Sequence, residues 1–181
     1  MPALVNDGHW EGDLLAGSRN TLIATLVECS SRFVMLVRVG GKDTESVVAA
    51  LGEQIKRLPK KTITATLTWD RGPEMAAHKK FTIATDVSVY FCDPKSPWQR
   101  GTSENTNRLI RQYLPRRRTD LSVYDQADLE QIALKLNTRP RKSLGYDTPA
   151  ATLAKRPLRS PVQPTQPCFQ RPHPGPLIYS S

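Results

Sequence analysis

Thr62-Ile63-Thr64-Ala65-Thr66-Leu67-Thr68-Trp69-Asp70-Arg71-Gly72-Pro73 alternates residue by residue, with Ile63, Ala65, Leu67 and Trp69 on one side and the threonines and Asp70 on the other. A period of two, rich in β-branched residues, predicts a strand with two different faces. Arg71-Gly72-Pro73 ends it immediately after the acid. A carboxylate at the C-terminal end of a strand, followed by a turn, stands where α/β proteins commonly place ligands.

Working back from this strand, the period becomes helical. Val47, Val48, Leu51, Ile55 and Leu58 recur at helix spacing after a candidate N-cap at Asp43 or Thr44, and Pro59 stops the run. Before Gly40-Gly41 the pattern is extended again. Residues 9–15 read as a short strand ending at Asp13. Leu22-Ile23-Ala24-Thr25-Leu26-Val27 and Phe33-Val34-Met35-Leu36-Val37-Arg38-Val39 are apolar enough for two more. The connections between them are short, which suits an antiparallel meander.

Working forward, residues 74–84 predict a short helix and Val87-Ser88-Val89-Tyr90-Phe91 a fifth strand. A loop rich in Pro, Ser and Gly runs from Cys92 to Thr102. Thr102 or Ser103 can cap a helix with Glu104 in its first turn and Leu109, Ile110 and Tyr113 on its apolar side. A further helix runs from about Asp125 to Pro140, with Leu129, Ile132, Ala133 and Leu136 inward. Three antiparallel strands, helix, strand, helix, strand, helix, helix is the order of a ribonuclease-H-like α/β domain: a mixed five-stranded sheet with helices on both faces. The expected domain spans residues 1–155. Seven prolines among residues 156–181, with no apolar period, predict a disordered tail.

The chain has 181 residues, enough for one domain with its own core. Its apolar runs are too short to span a bilayer, and the N-terminus lacks the pattern of a signal peptide, so a cytoplasmic protein is expected. Cys29, Cys92 and Cys168 are scattered, which argues for thiols and against a zinc site or disulfide frame. The net charge of +9 is unevenly placed. Residues 1–94 hold 11 Lys+Arg against 11 Asp+Glu, whereas residues 95–181 hold 15 against 6. A basic half beside a neutral half points to a polyanion, and nucleic acid is the commonest one.

Three acids now stand out: Asp13 and Asp70 at strand ends and Glu104 in a helix's first turn. Singly, each has an ordinary reading as a turn former or helix-start acid. Brought together by this fold order they would repel unless a cation lay between them. Hard divalent ions, above all Mg²⁺, bind such oxygens and organise phosphoryl transfer, with two ions about 3.5–4 Å apart in two-metal sites. The expectation is a metal-dependent enzyme that cuts and joins DNA strands. Glu11 and Glu74 compete for the same roles; Glu11, two residues before Asp13 on the same strand face, suits a supporting one, and Glu74 reads as a first-turn helix acid.

Arginines surround the third acid. Arg100 precedes it, and Arg108 and Arg111 follow four and seven residues on, sharing its helix face. Arg116, Arg117 and Arg118 come next, then Arg139, Arg141 and Lys142 beside the end of the following helix. Such side chains would hold a phosphate backbone without reading base sequence. Trp98 in the loop suits either a wedge against a base or a loop anchor. His9 and His78 suggest no nucleophile relay, since no serine or cysteine stands in a nucleophile elbow.

Several blocks in order carry a resemblance: Gly8-His9-Trp10-Glu11-Gly12-Asp13-Leu14, Leu67-Thr68-Trp69-Asp70-Arg71-Gly72, Tyr90-Phe91-Cys92-Asp93-Pro94, Ser96-Pro97-Trp98-Gln99-Arg100-Gly101, Glu104-Asn105-Thr106-Asn107 and Leu136-Asn137-Thr138-Arg139-Pro140-Arg141-Lys142-Ser143-Leu144-Gly145-Tyr146. Over roughly residues 8–154 the chain resembles the catalytic core of insertion-sequence transposases of the IS-thirty type. The resemblance implies an integrase-like core with an Asp-Asp-Glu triad at Asp13, Asp70 and Glu104. It also implies Mg²⁺, with Mn²⁺ able to substitute, double-stranded DNA at element ends and target, and a homo-oligomer on that DNA. Arg71 stands where the family suggests a polar residue such as Gln. Members carry an N-terminal helix-turn-helix region, and this chain starts almost at the core, so a truncated copy is expected. The competing expectations are a non-catalytic remnant that binds DNA or interferes with an intact transposase, and a ribonuclease-H-type nuclease acting on hybrids.

Overall fold

The computed structural model describes residues 8–41, 43–58, 66–69, 76–91, 101–115 and 119–155. Its sheet has the strand order β3-β2-β1-β4-β5, with β1 His9–Ala16, β2 Leu22–Glu28, β3 Val34–Arg38, β4 Thr66–Trp69 and β5 Ser88–Phe91. The meander is antiparallel, and β4 adds parallel to β1 in a register that pairs Gly12 with Trp69. β5 adds parallel to β4. β1, the first strand in sequence, is therefore the centre of the sheet, and Asp13 lies within it and not at its end as expected, because pairing with β2 continues through Ala16↔Leu22.

Helices cover both faces. α1 Thr44–Lys56 and α2 His78–Thr85 pack on one side, where Trp10, Leu26, Val37, Leu51, Leu67, Trp69 and Phe81 form a core. On the other, α3 Gly101–Ile110 and α4 Gln126–Asn137 bury Leu15, Ile23, Val27, Leu36, Ile110, Leu129 and Leu136. Every residue of β2 is buried, as a strand covered on both faces requires. Asp43 caps α1 by accepting from Ser46 N, and Asp125 and Asp128 form a reciprocal capping box on α4.

Edge strand β3 is closed by side-chain amides from α4. Asn137 accepts from Val34 N and donates to Val34 O, each at 2.8 Å. Gln126 accepts from Arg38 N and donates to Leu36 O, each at 2.9 Å. Eleven residues make about three helical turns, so both amides fall on one face of α4 and stand in for a sixth strand.

The structure refines several sequence expectations. α3 begins at Gly101, two or three residues earlier than a cap at Thr102 or Ser103 would allow, yet Glu104 still falls in its first turn. α2 starts at His78, and a short helix α5, Pro149–Ala154, follows an N-cap at Thr148 that the sequence pattern did not reveal. Cys29 is disulfide-bonded, against the expectation of thiols, and Cys92 and Cys168 lie outside the described residues. Residues 156–181, the expected tail, and Trp98 and Glu74 lie outside them too. Among the described residues no helix is long and apolar enough to cross a membrane.

Candidate active site

Asp13 and Glu104 reach the same region through a bond between strand and helix. On β1, His9, Glu11, Asp13 and Leu15 alternate toward α3, while Trp10, Gly12 and Leu14 face the α1 side. Asn107 Nδ2 donates to Asp13 Oδ2 at 3.0 Å, and Leu14 N donates to Asp13 Oδ1 at 2.8 Å. Thr25, directly opposite Asp13 on β2, points its hydroxyl at Asn107 Oδ1 and at Asp13 O, each 3.3 Å away. The amide of Asn107 thus donates to the carboxylate and accepts from the hydroxyl, which fixes its orientation and that of Asp13.

Glu104 lies three residues before Asn107, on the same face of α3 and about 4.5 Å back along the axis. It is exposed, with its carboxylate at the positive end of the helix dipole. Three residues after Asp13, the carbonyl of Ala16 accepts from Arg111 Nη2 at 2.9 Å, and Leu114 O lies 3.4 Å from Arg111 Nη1. α3 is consequently fastened to the central strand at two points beyond Glu104. Asp70 lies outside the described residues; the residue before it, Trp69, pairs in register with Gly12, next to Asp13.

Gly12 makes that register possible. A Cβ there would stand 2.2 Å from Trp69 Cε3 and 2.3 Å from Cζ3, far inside contact distance. Trp69 and Leu67 are both buried, so the ring has nowhere to retreat.

His9 is held between strands. Its Nδ1 lies 2.5 Å from Thr66 Oγ1 and its Nε2 2.9 Å from Thr68 Oγ1. A neutral imidazole offers one donor and one acceptor, and two hydroxyls satisfy both. Burial pushes its pKa down to about 4, opposed by the charge of Glu28. It therefore locks β1 to β4 as a neutral ring. Glu11, on the same face, is buried.

The basic residues divide. Arg108 and Arg139 are exposed, as is Lys142 in the 3-10 turn Lys142–Leu144. Arg111 is half-buried, with its guanidinium turned to backbone carbonyls. Arg141 is half-buried and donates to Leu136 O at 3.2 Å. Desolvation, then the charge of Arg139, lowers its pKa from the ordinary arginine value, with Tyr113 acting in the opposite direction. The Arg139 guanidinium beside Arg141 makes a local excess of positive charge. Arg100, Arg116, Arg117 and Arg118 lie outside the described residues.

Sequence reading gave no role to Asn107, Thr25 or Gly12. The only signal for Asn107 was its spacing of three from Glu104. Among the described residues no three His, Cys, Asp or Glu side chains are grouped to hold a metal ion.

A family model for the integrase core domain matches residues 6–97. The chain belongs to the integrase core domain family. Within it, the chain is 55% identical over 142 residues to the transposase InsI of insertion sequence element IS30A from Escherichia coli (strain K12), covering 78% of this chain and 37% of that protein. It is 50% identical over 159 residues to the transposase of IS1086 from Cupriavidus metallidurans, covering 85% and 46%. The chain thus spans less than half the length of the transposases it matches. Among solved structures, the catalytic core domain of BIV integrase superposes with a TM-score of 0.62 at 20% identity, covering 82% of this chain and 95% of that one. A simian T-cell lymphotropic virus intasome in complex with a PP2A regulatory subunit superposes with a TM-score of 0.64 at 18% identity, covering 89% and 59%. Identities this low speak for the fold: the integrase core is the ribonuclease-H-like sheet expected from the element order.

Proposed function

We propose that this chain is the catalytic core of an insertion-sequence transposase of the IS30 type, a polynucleotidyl transferase that cleaves DNA at element ends and joins it to a target. The observation that carries the reading is the Asn107–Asp13 bond, which fastens the helix of Glu104 to the central strand. Asp13, Asp70 and Glu104 are the proposed catalytic carboxylates and metal ligands. All three are hard oxygen donors, Asp13 on a strand and Glu104 on a helix, the chemistry that Mg²⁺ selects, with two ions bound and Mn²⁺ able to replace them. When bound, the metal supplies Lewis acidity and neutralises charge at the reacting phosphate.

The chain's own residues do the rest. Asn107 and Thr25 orient Asp13, and His9 keeps β1 and β4 in register beneath it. Arg108, Arg139, Arg141 and Lys142, with Arg100 and Arg116 to Arg118 from the sequence, hold the duplex by its phosphates. Arg111 contributes through α3 rather than through a phosphate. The core occupies residues 1–155, followed by a tail, and works as a homo-oligomer on DNA in the bacterial cytoplasm.

The test is nicking of a duplex bearing the element's terminal repeat in Mg²⁺ or Mn²⁺. Asp13→Asn, Asp70→Asn and Glu104→Gln should each abolish it while salt-sensitive DNA binding persists. Cleavage that survives all three substitutions, or that prefers RNA–DNA hybrids over duplex DNA, defeats the proposal.

A further inference from the structure

The turn between β2 and β3 is bonded far more densely than a short connection requires. Glu28, fully buried at the end of β2, accepts at its carboxylate from Ser31 N at 2.7 Å, Ser31 Oγ at 2.5 Å and Ser30 N at 3.3 Å. Arg32 N donates to Glu28 O at 2.8 Å, Glu28 N to Phe33 O at 2.8 Å, and Cys29 N to His9 O at 2.9 Å. Inside this frame Arg32 is held at φ 61, left-handed backbone that disfavours any residue with a Cβ. Glycine or asparagine would adopt it more readily. A strained arginine held in place by its surroundings directs attention to what its side chain does.

That side chain crosses to α3. Arg32 Nη1 donates to Thr102 Oγ1, and Thr102 is buried in the first turn of the helix, two residues before Glu104. The fastenings at Asn107 and Arg111 both lie beyond Glu104, and a helix's first turn has no intrahelical partners for its N–H groups and frays most easily. Arg32 supplies a fastening on the other side of the acid.

We propose that Arg32, locked by the Glu28–Ser31 turn, is a positioning residue for Glu104: through Thr102 it holds the first turn of α3 so that the carboxylate meets the rest of the site. The inference rests on the transferase reading for its catalytic consequence and on the hydrogen bond alone for its structural one. Outer partners of metal-ligating groups commonly change activity or metal affinity by about 10–100-fold when removed.

The experiment compares Arg32→Ala, Thr102→Val, their double variant and Thr102→Ser in the full chain. A fourth single variant, Asp43→Ala, removes the cap of α1, far from α3, and reports what lost stability does by itself. Arg32→Ala and Thr102→Val should each lower kcat for nicking by about 10–100-fold, with KM for DNA within about twofold of wild type. The double variant should be no slower than the worse single, since both remove one contact, and Thr102→Ser should retain wild-type kcat. Hydrogen exchange without DNA or metal should show protection lost in Arg32→Ala at the amides of residues 105–108, which bond to the carbonyls of the first turn of α3, and kept in α4. Wild-type kcat in Arg32→Ala, multiplicative losses in the double variant, or losses matched by Asp43→Ala overturn the proposal. If the wild-type chain nicks no DNA, the transferase reading fails by itself. Exchange then decides the positioning role: faster exchange confined to the amides of residues 105–108 upholds it, and unchanged protection overturns it.

Discussion

Two glycine-to-alanine substitutions should move stability in opposite directions. At Gly12 the new Cβ would lie 2.2 Å from Trp69 Cε3, 2.3 Å from Cζ3 and 3.2 Å from Leu67 Cδ1. Carbon contacts settle near 3.5–4.0 Å, so relief needs a shift of more than about 1 Å in a buried indole. Overpacking of this kind costs about 1–3 kcal/mol, partly offset by the lower unfolded-state entropy of alanine. At Gly52, inside α1, the nearest atom is Thr85 Cγ2 at 3.7 Å, an ordinary contact. There alanine should gain about 0.5–1 kcal/mol from helix propensity. With a urea m-value of about 2 kcal/mol/M, Gly12→Ala should lower the unfolding midpoint by roughly 0.5–1.5 M and Gly52→Ala should raise it by roughly 0.25–0.5 M. Activity should part them as well. Trp69 immediately precedes Asp70, and a misplacement of about 1 Å at a reacting site can cost about 100-fold in rate. Gly12→Ala should therefore lose nicking under conditions where it remains folded, while Gly52→Ala keeps it. A Gly12→Ala protein with wild-type midpoint and rate would refute the argument that this close approach sets the register of β4.

The remaining predictions follow from single contacts. Folded His9 stays neutral down to about pH 4, whereas the unfolded chain protonates it near 6.5. The unfolded state binds the proton first, so stability present above pH 6.5 should drain away as pH falls toward 4, by about 3 kcal/mol. Urea midpoints against pH should show this slope in wild type and lack it in His9→Gln; equal slopes would contradict it. Asn107→Ala removes the amide from Asp13 and should cost about 1 kcal/mol, with nicking slowed by about 10–100-fold. Near-wild-type kinetics would detach Asn107 from the site. Asn137→Ala leaves Val34 N and O without their amide partner, at about 2–4 kcal/mol, and exposes the β3 edge. Sedimentation should show self-association there, and a stable monomer would argue against the edge-closing role.

Much of the fold was legible because its signals are local. The alternation through Trp69, the helical spacing from Val47 to Leu58 and the short turns of the meander each follow from backbone periodicity, and their order defines a mixed sheet. α5 escaped because six residues are too few to show a period, and its Thr148 cap is an ordinary residue out of context. The start of α3 was displaced because Thr102, a good capping type, is instead inside the helix, its hydroxyl taken by Arg32.

The candidate site divides along the same line. Sequence by itself proposes Asp13, Asp70 and Glu104 as the candidate acids, through residue type, strand and helix context, and order, and Asp70 lies outside the described residues. It also sets the basic half apart from the neutral half, because charge and periodicity are properties of neighbouring residues. Only the tertiary structure decided that Asn107 bonds to Asp13 across 94 positions, that Arg32 reaches Thr102, and that Arg111 faces carbonyls instead of solvent. Those outcomes depend on the strand register and on the rotation of α3 over the sheet. Both are set by packing between segments far apart in the chain, and no local pattern encodes them.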